Sequence, residues 1–205
     1  MKPISDISRR DFLKLAGAGA LSALLAELHL GTGFAQGSPR QGRMTVSGIP
    51  LYETPSFNAK KLRLFGRDQV TAITREADGD DGNPYNKTWY QIEEGYTYSG
   101  WVQPVETRYQ KPVFDVPPSG QLGEVTVPVC DPRLDPTLYA KRGYRLYYGS
   151  THWVKRTIVV RDEKSIWYEI YDSHLHKSFF APSYAMRLVP PDELTLLSPE
   201  VPESE

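Results

Sequence analysis

The chain has 205 residues, which is enough for one or two domains. Its 24 basic and 25 acidic residues leave a net charge of -1. That balance gives no electrostatic reason to expect nucleic acid or an anionic membrane surface as a partner. The 13 tyrosines and 17 prolines, against 3 methionines, favour short strands joined by turns over helices.

Residues 1–35 have the pattern of a twin-arginine export signal. An arginine pair and a Phe-Leu pair precede an apolar run rich in Ala, Gly and Leu, which is shorter than the ~20 apolar residues of a spanning helix. Small residues near Ala35 predict cleavage there, so we expect membrane contact only through an uncleaved signal segment. The exported protein would be periplasmic, cell-wall-associated or extracellular. The residues that carry the signal are Arg9, Arg10, Phe12 and Leu13.

A Trp-Tyr-x-Ile motif occurs twice, at positions 89–92 and at positions 167–170. With the same spacing along the chain, Ile49-Pro50-Leu51 corresponds to Val127-Pro128-Val129. Two anchors with one spacing predict two copies of one small β module. We interpret the apolar residues of each motif as alternating with polar ones on a strand with one buried face, with the indole in the core.

The predicted organisation is all-β, with two small SH3-like antiparallel barrels in tandem after the signal segment. Proline-rich and polar stretches mark the boundaries. The predicted parts are a signal peptide at 1–35, a linker at 36–42, a first module at 43–108, a stiff connector at 109–118, a second module at 119–190 and an extended tail at 191–205.

Cys130 is the single cysteine of the chain, so it cannot form an internal disulfide and the core must hold the fold. A reactive thiol needs a nearby base that helps form the thiolate, and no base is evident beside Cys130. We therefore interpret Cys130 as a small apolar residue on a strand that follows Val127 and Val129. A reactive thiol is the alternative.

Two clusters of acidic or histidine residues are candidate metal sites. Three aspartates lie between residues 78 and 81, but Trp89 stands where a calcium-binding loop needs a glutamate. The His-x-His pair at 174–176 follows Asp172 in a predicted turn, where no third strong ligand is implied. We expect solvated turns at both places, and the sequence predicts neither a metal nor a cofactor.

An excess of aromatic residues on the predicted strands suggests a ligand-binding groove, since aromatic side chains can grip proline-rich peptides or glycan chains. The alternative is that these residues form the cores of the two small modules. For His152, a general base is the weaker interpretation, because no nucleophile is tied to it in the sequence. The candidate binding residues are Tyr98, Trp101, Tyr147, Tyr148, His152 and Trp153.

The motifs of the first module, above all the Trp-Tyr strand followed by Gly100-Trp101-Val102, resemble bacterial SH3-like modules. The whole chain resembles the N-terminal, non-catalytic half of exported L,D-transpeptidases, which cross-link peptidoglycan. That resemblance is carried by residues 124–128, 150–154, 167–168 and 193–202. The family's nucleophilic Cys lies in a His-Gly-Cys motif that this sequence lacks, so no catalytic residue carries over.

These observations predict an exported, non-catalytic protein that binds or scaffolds at peptidoglycan in the cell envelope. The expected partner is peptidoglycan or a cell-wall enzyme, as the resemblance implies. Two alternatives stay open: a truncated L,D-transpeptidase without its catalytic domain, and a general extracytoplasmic protein-interaction module.

Overall fold

A computed structural model describes residues 40–83 and 85–194, with no side-chain description for residues 80–83. The signal segment, most of the predicted linker and the end of the predicted tail therefore lie outside the described residues. Within them the protein is all-β, as predicted, and every strand pairing is antiparallel. None of the helical turns in these ranges is long and apolar enough to cross a membrane.

The first unit contains eight strands and one 3₁₀ turn, Ser99–Trp101. Only Ile73 and Thr74 separate β4 from β5, so these two strands form one bent stretch that joins the two sheets. The strand orders are β4-β1-β8 and β3-β2-β7-β6-β5. The strands are β1 Gln41–Met44, β2 Ile49–Tyr52, β3 Lys61–Phe65, β4 Val70–Ala72, β5 Arg75–Asn83, β6 Asn86–Ile92, β7 Gly95–Tyr98 and β8 Val102–Val105.

The second unit contains seven strands, and its main sheet has the order β14-β13-β12-β9-β15. Two 3₁₀ turns are present: Ser183–Ala185 precedes β15, and Pro191–Glu193 lies in the predicted tail. The strands are β9 Gln121–Val125, β10 Val129–Cys130, β11 Leu146–Tyr147, β12 Thr151–Val160, β13 Ser165–Asp172, β14 Lys177–Pro182 and β15 Met186–Leu188.

The two units share most of their strand order, which agrees with the predicted duplication, but β2 and β3 belong to the five-stranded sheet of the first unit, whereas β10 and β11 form a separate two-stranded sheet. The long strand β12 corresponds to β4 and β5 together, because residues 151–154 pair with β9 and the strand pairs with β13 from Trp153 to Val160. A bulge between Val154 and Arg156 replaces the bend at Ile73 and Thr74. The number of residues between equivalent positions of the two copies is larger at the 3₁₀ turns than at the Trp-Tyr strands. The reason is that β14 and the turn before it are longer than β7 and the turn before it.

Each unit has its own core, and the Tyr and Ile of the repeated motif point into it. Tyr90 and Ile92 belong to the first core, and Tyr168 and Ile170 belong to the second. Side chains such as Met44, Leu51 and Phe65 complete the first core, and Val125, Phe179 and Met186 help complete the second.

The tryptophans of the motif are buried, as predicted, but they do not belong to the clusters that contain the Tyr and Ile of the motif. Trp89 is 0% exposed and Trp167 is 1% exposed, yet each adjoins a core tyrosine on its strand and so points to the opposite face. The Trp-Tyr strands are therefore buried on both faces, whereas the sequence pattern suggested one. The loops at 53–60 and 131–145 supply the outer cover.

The predicted connector at 109–118 has no regular secondary structure, but it packs on the second unit. The backbone N–H of Val113 donates to the Tyr168 hydroxyl at 2.9 Å, and the Thr157 hydroxyl donates to the Val113 carbonyl at 2.6 Å. Val116 packs against the second core. The first module also begins earlier than predicted, because Gln41 and Gly42 already pair with β8.

Candidate functional site

The six predicted binding residues fall into three sets of contacts. Tyr98 and Trp101 pack edge to face in the first unit, with ring centroids 5.5 Å apart. Tyr147 and Tyr148 contact the first unit: the Arg43 guanidinium lies 4.1 Å from the Tyr147 ring, and the Gln103 amide donates to the Tyr148 carbonyl.

The third set, His152 and Trp153, lies on β12. Trp153 is 43% exposed, and its indole N–H donates to the Ser119 carbonyl at 3.0 Å. The His152 Nε2 lies 3.1 Å from the Ser150 hydroxyl oxygen. None of the six predicted residues lines either of the two cavities described below.

The outer face of the Trp89 strand is filled by aromatic rings. Phe57, from the 53–60 loop, lies 4.7 Å from the Trp89 ring, 5.3 Å from Tyr98 and 5.6 Å from Trp101. Tyr52 closes the other side, 5.6 Å from Trp89. In the first unit, then, the loop places its own aromatic side chain over the tryptophan.

The equivalent place in the second unit is open. The loop there, 131–145, is almost twice as long as the 53–60 loop, and Asp135 takes the position of Phe57 when the two tryptophans are aligned. A cavity of about 230 Å³ lies over the Trp167 strand. It is lined by Val129, Cys130, Asp131, Arg133, Leu138, Arg142, Trp167, Pro182, Tyr184 and Ala185.

Hydrogen bonds to β14 and to the β12–β13 turn hold the 131–145 loop beside the cavity. The backbone of Arg133 pairs in both directions with Phe180 on β14, at 2.8 Å each. Glu163 accepts from the Thr137 hydroxyl and from the Leu138 N–H. At the floor, the Trp167 indole donates to the Ser165 hydroxyl at 2.9 Å.

A second cavity, of about 360 Å³, adjoins the first and lies where the two units meet. The two cavities share Val129 and Tyr184 in their linings, and Tyr184 is 52% exposed between them. We call the combined depression the Tyr184 groove. Its second part is lined by Asp68, Val70, Thr107, Tyr109, Val127, Pro128, Val129 and Tyr184.

A network of ion pairs links the two units beside this groove. Asp68 accepts from Arg43 of its own unit at 2.5 Å and from Arg145 of the second unit at 2.8 Å. Arg145 also binds Asp131 through Nε at 2.6 Å and Nη2 at 2.9 Å. Burial acts to raise the pKa of Asp68, but the hydrogen bonds and charges of Arg145 and Arg43 outweigh it and hold that pKa below its usual value.

Cys130 lies at the floor of the groove and is 4% exposed. Burial, with a contribution from the charge of Asp131, raises the pKa of its thiol to about 12. The thiol is therefore protonated at neutral pH, and a protonated thiol is a poor nucleophile. The interpretation of Cys130 as a small apolar strand residue agrees with this environment.

Ser150 and His152 are within hydrogen-bond distance, which is the arrangement of a nucleophile and its base. The Ser150 hydroxyl, however, donates its single hydrogen to the Tyr147 carbonyl at 2.7 Å. It can therefore only accept from His152 Nε2–H, the reverse of what activation of the serine requires. Burial also lowers the pKa of His152 and favours its neutral form.

His174 and His176 are exposed in the β13–β14 turn, as expected for solvated residues. Asp172 accepts from the backbone N–H groups of His174 and Leu175, so its carboxylate shapes the turn. Asp78 is exposed on β5, and the other two aspartates of that cluster have no described side chains. Among the side chains that are described, no group of three acidic, His or Cys residues has the geometry to hold a metal ion.

Comparison with known proteins finds a match to the family model of the twin-arginine translocation pathway signal sequence, over residues 6–26. The protein is therefore exported across the cytoplasmic membrane. The matched segment contains Arg9, Arg10, Phe12 and Leu13, the residues predicted to carry the signal. No curated protein matches the chain.

Sequence reasoning missed the residues that line the groove. Tyr184 and Leu138 stand outside the repeated motif, and Arg133 and Arg142 lie in a loop whose length differs between the two copies. The one feature of the sequence that could have indicated the groove is the 131–145 loop. Aligning the two copies on their tryptophans leaves the second loop longer and without the Phe57 side chain.

Proposed function

We propose that the protein is a non-catalytic binding component of the cell envelope, and that the Tyr184 groove holds peptidoglycan. The observation that carries this proposal is the open groove over Trp167, at the place where Phe57 fills the first unit. The export signal and the resemblance to the N-terminal half of exported L,D-transpeptidases direct the proposal to the cell wall. We also propose that both units are SH3-like, with the first unit a structural partner of the second.

The chemistry of the groove suits a wall polymer built from sugars and short peptides. Leu138 and Tyr184, each 52% exposed beside the buried Trp167, offer apolar surface for alanyl methyl groups and sugar faces, as aromatic and aliphatic side chains do in many binding sites. Arg133 and Arg142 lie at its rim, where guanidinium groups can meet peptide carboxylates. Peptidoglycan offers both kinds of surface in one chain.

Binding without catalysis is supported by the state of the reactive groups. The raised pKa of Cys130 leaves the thiol protonated, and the Ser150 hydroxyl is committed to a backbone carbonyl. Neither group is prepared to attack a substrate.

Sedimentation with purified peptidoglycan sacculi tests the proposal. We expect the exported chain to pellet with sacculi at low and moderate salt, and Leu138→Ala to reduce the pelleted fraction several-fold. The matched control is Tyr139→Ala: Tyr139 is in the same loop and is 90% exposed, but it does not line the groove. If the wild-type chain stays in the supernatant at both salt concentrations, or if the two variants behave alike, the proposal is wrong.

A further inference from the structure

The charges around the Tyr184 groove are unequal. Arg145 occupies both oxygens of Asp131, and Asp68 is bound by Arg43 and Arg145. These contacts leave two guanidinium groups of the groove lining in excess of carboxylates. They are Arg133 and Arg142.

Neither of these two arginines has its donors fully used by the described residues. The Arg133 Nη1 donates to the Ala140 carbonyl at 3.0 Å, and no carboxylate of the described part of the chain forms a salt bridge with Arg133. Arg142 reaches Asp131 only through Nη1, at 3.2 Å, and its side chain is 63% exposed. Since a guanidinium has five N–H donors, both arginines can donate to a further anion.

The positive charges of Arg133 and Arg142 act on Asp131, which lines the groove. The hydrogen bond from Arg145 is the main cause that holds the pKa of Asp131 below its usual value, and the charges of Arg142 and Arg133 add to it. An incoming carboxylate would meet the same field, with Asp131 already neutralised by the Arg145 fork.

The apolar part of the cavity sets the size of what binds next to the anion. The whole cavity, charged lining included, has a volume of about 230 Å³, which is smaller than the ~300–1,000 Å³ of pockets for drug-sized ligands. The walls are Leu138, Tyr184 and Pro182 over the Trp167 floor. This space fits one or two small residues of a peptide.

We infer that the second unit recognises a short acidic peptide, whose carboxylate is held by Arg133 and Arg142 while a small aliphatic side chain lies between Leu138 and Tyr184. This inference rests on the proposed function, because it names the part of peptidoglycan that the groove takes: the peptide and not the glycan. The fork geometry of the guanidinium, which matches the two oxygens of a carboxylate, supports this choice.

Calorimetry with defined peptides tests the inference in solution. The probes are N-acetyl-Ala-Glu-Lys-Ala and its analogue with both carboxylates amidated. We expect the free acid to bind and amidation to weaken binding at least tenfold, because hydrogen bonds between charged groups are lost. Arg133→Gln and Arg142→Gln should each raise the Kd about tenfold, while Arg142→Lys, which keeps the charge, should lose less.

The control variant is Arg75→Gln, which removes an exposed arginine of the first unit that does not line the groove. Circular dichroism melting curves confirm that each variant is folded. The inference is overturned if the free and amidated peptides have the same Kd, if Arg75→Gln weakens binding as much as Arg133→Gln, or if glycerol phosphate binds as tightly as the peptide. If one of these results is found but the protein still binds sacculi, the inference is wrong and the proposed function is retained. If the peptide binds but sacculi do not, the proposed function is wrong and the inference about the acidic peptide is retained.

Discussion

Replacing Asp68 by asparagine tests how strongly the two units are held together. Asp68 has a left-handed backbone, with φ of 63°, and asparagine tolerates that region better than most residues do. Asp68→Asn therefore removes the charge while keeping the shape. The side chains of Asp68 and Arg43 are 9% and 8% exposed, so the pair that loses its charge is buried.

The expected loss of stability depends on the two arginines that bind Asp68, which are Arg43 and Arg145. Removing one member of a buried ion pair costs ~3–5 kcal/mol. The loss is smaller here, because Arg43 keeps its other contacts when the charge of Asp68 is removed. It donates to the Gln103 side chain from Nε at 3.0 Å and Nη2 at 2.7 Å, and it lies over the Tyr147 ring. The Arg145 contact is 37% exposed on the arginine side, so solvent screens it. We expect the free energy of unfolding to fall by about 2–3 kcal/mol.

The assay is urea unfolding at several pH values. The pKa of Asp68 is lower in the folded protein than in the unfolded chain, so its stabilising effect is full above the unfolded value of about 4 and is lost as the pH falls through the lower folded value. Asp68→Asn should therefore be destabilised at pH 7 and should lose less stability than the wild type on acidification below pH 4. An unfolding free energy at pH 7 that equals that of the wild type, or parallel acid profiles, would refute the reasoning.

Four further predictions follow from the same structure. Trp89→Ala and Trp167→Ala should each lower the free energy of unfolding by ~3–5 kcal/mol, measured by urea titration, since both indoles are buried; a loss near zero would contradict their burial. Phe57 is only half-buried, so Phe57→Ala should cost less than the ~3–5 kcal/mol of a core aromatic and open over Trp89 the kind of cavity that the second unit has; a crystal structure of the variant in which the 53–60 loop has collapsed onto Trp89 would speak against the open cavity. The Cys130 thiol should resist a thiol reagent at pH 8 until the protein is unfolded, because burial keeps it protonated and covered; rapid labelling of the native protein would be the opposite result. His152, whose pKa is lowered by burial, should make the wild type less stable as the pH falls below about 6.5, where the unfolded chain gains the proton first; His152→Gln should flatten that part of the pH profile, and an unchanged slope would exclude this role.

The repeated motif predicted the all-β fold and the burial of the two indoles, because alternation and β-branched or aromatic residues are local features of a sequence. It did not predict which face each ring occupies. Tyr90 and Trp89 are neighbours on one strand and so must point to opposite faces. The pattern could identify the core face only if the other face were polar, and here loops cover it.

The groove and the junction between the units depend on contacts between residues that are far apart in the chain. Asp68 and Arg145 are 77 positions apart, and nothing in the local sequence of either indicates the partner. The connector shows the same limit. Its prolines suggested a stiff spacer, whereas Val113 and Val116 bind it to the second unit. Their few contacts leave no periodic pattern in the sequence that could have indicated them.

The most direct test of the account is an NMR titration of the ¹⁵N-labelled protein with soluble peptidoglycan fragments from a muramidase digest. We predict that amide shifts change in the 131–145 loop and in the turn around Tyr184, while the 53–60 loop, whose Phe57 fills the equivalent place, stays unchanged. Shift changes centred on the 53–60 loop or on Trp153, or no changes at millimolar fragment, would contradict it.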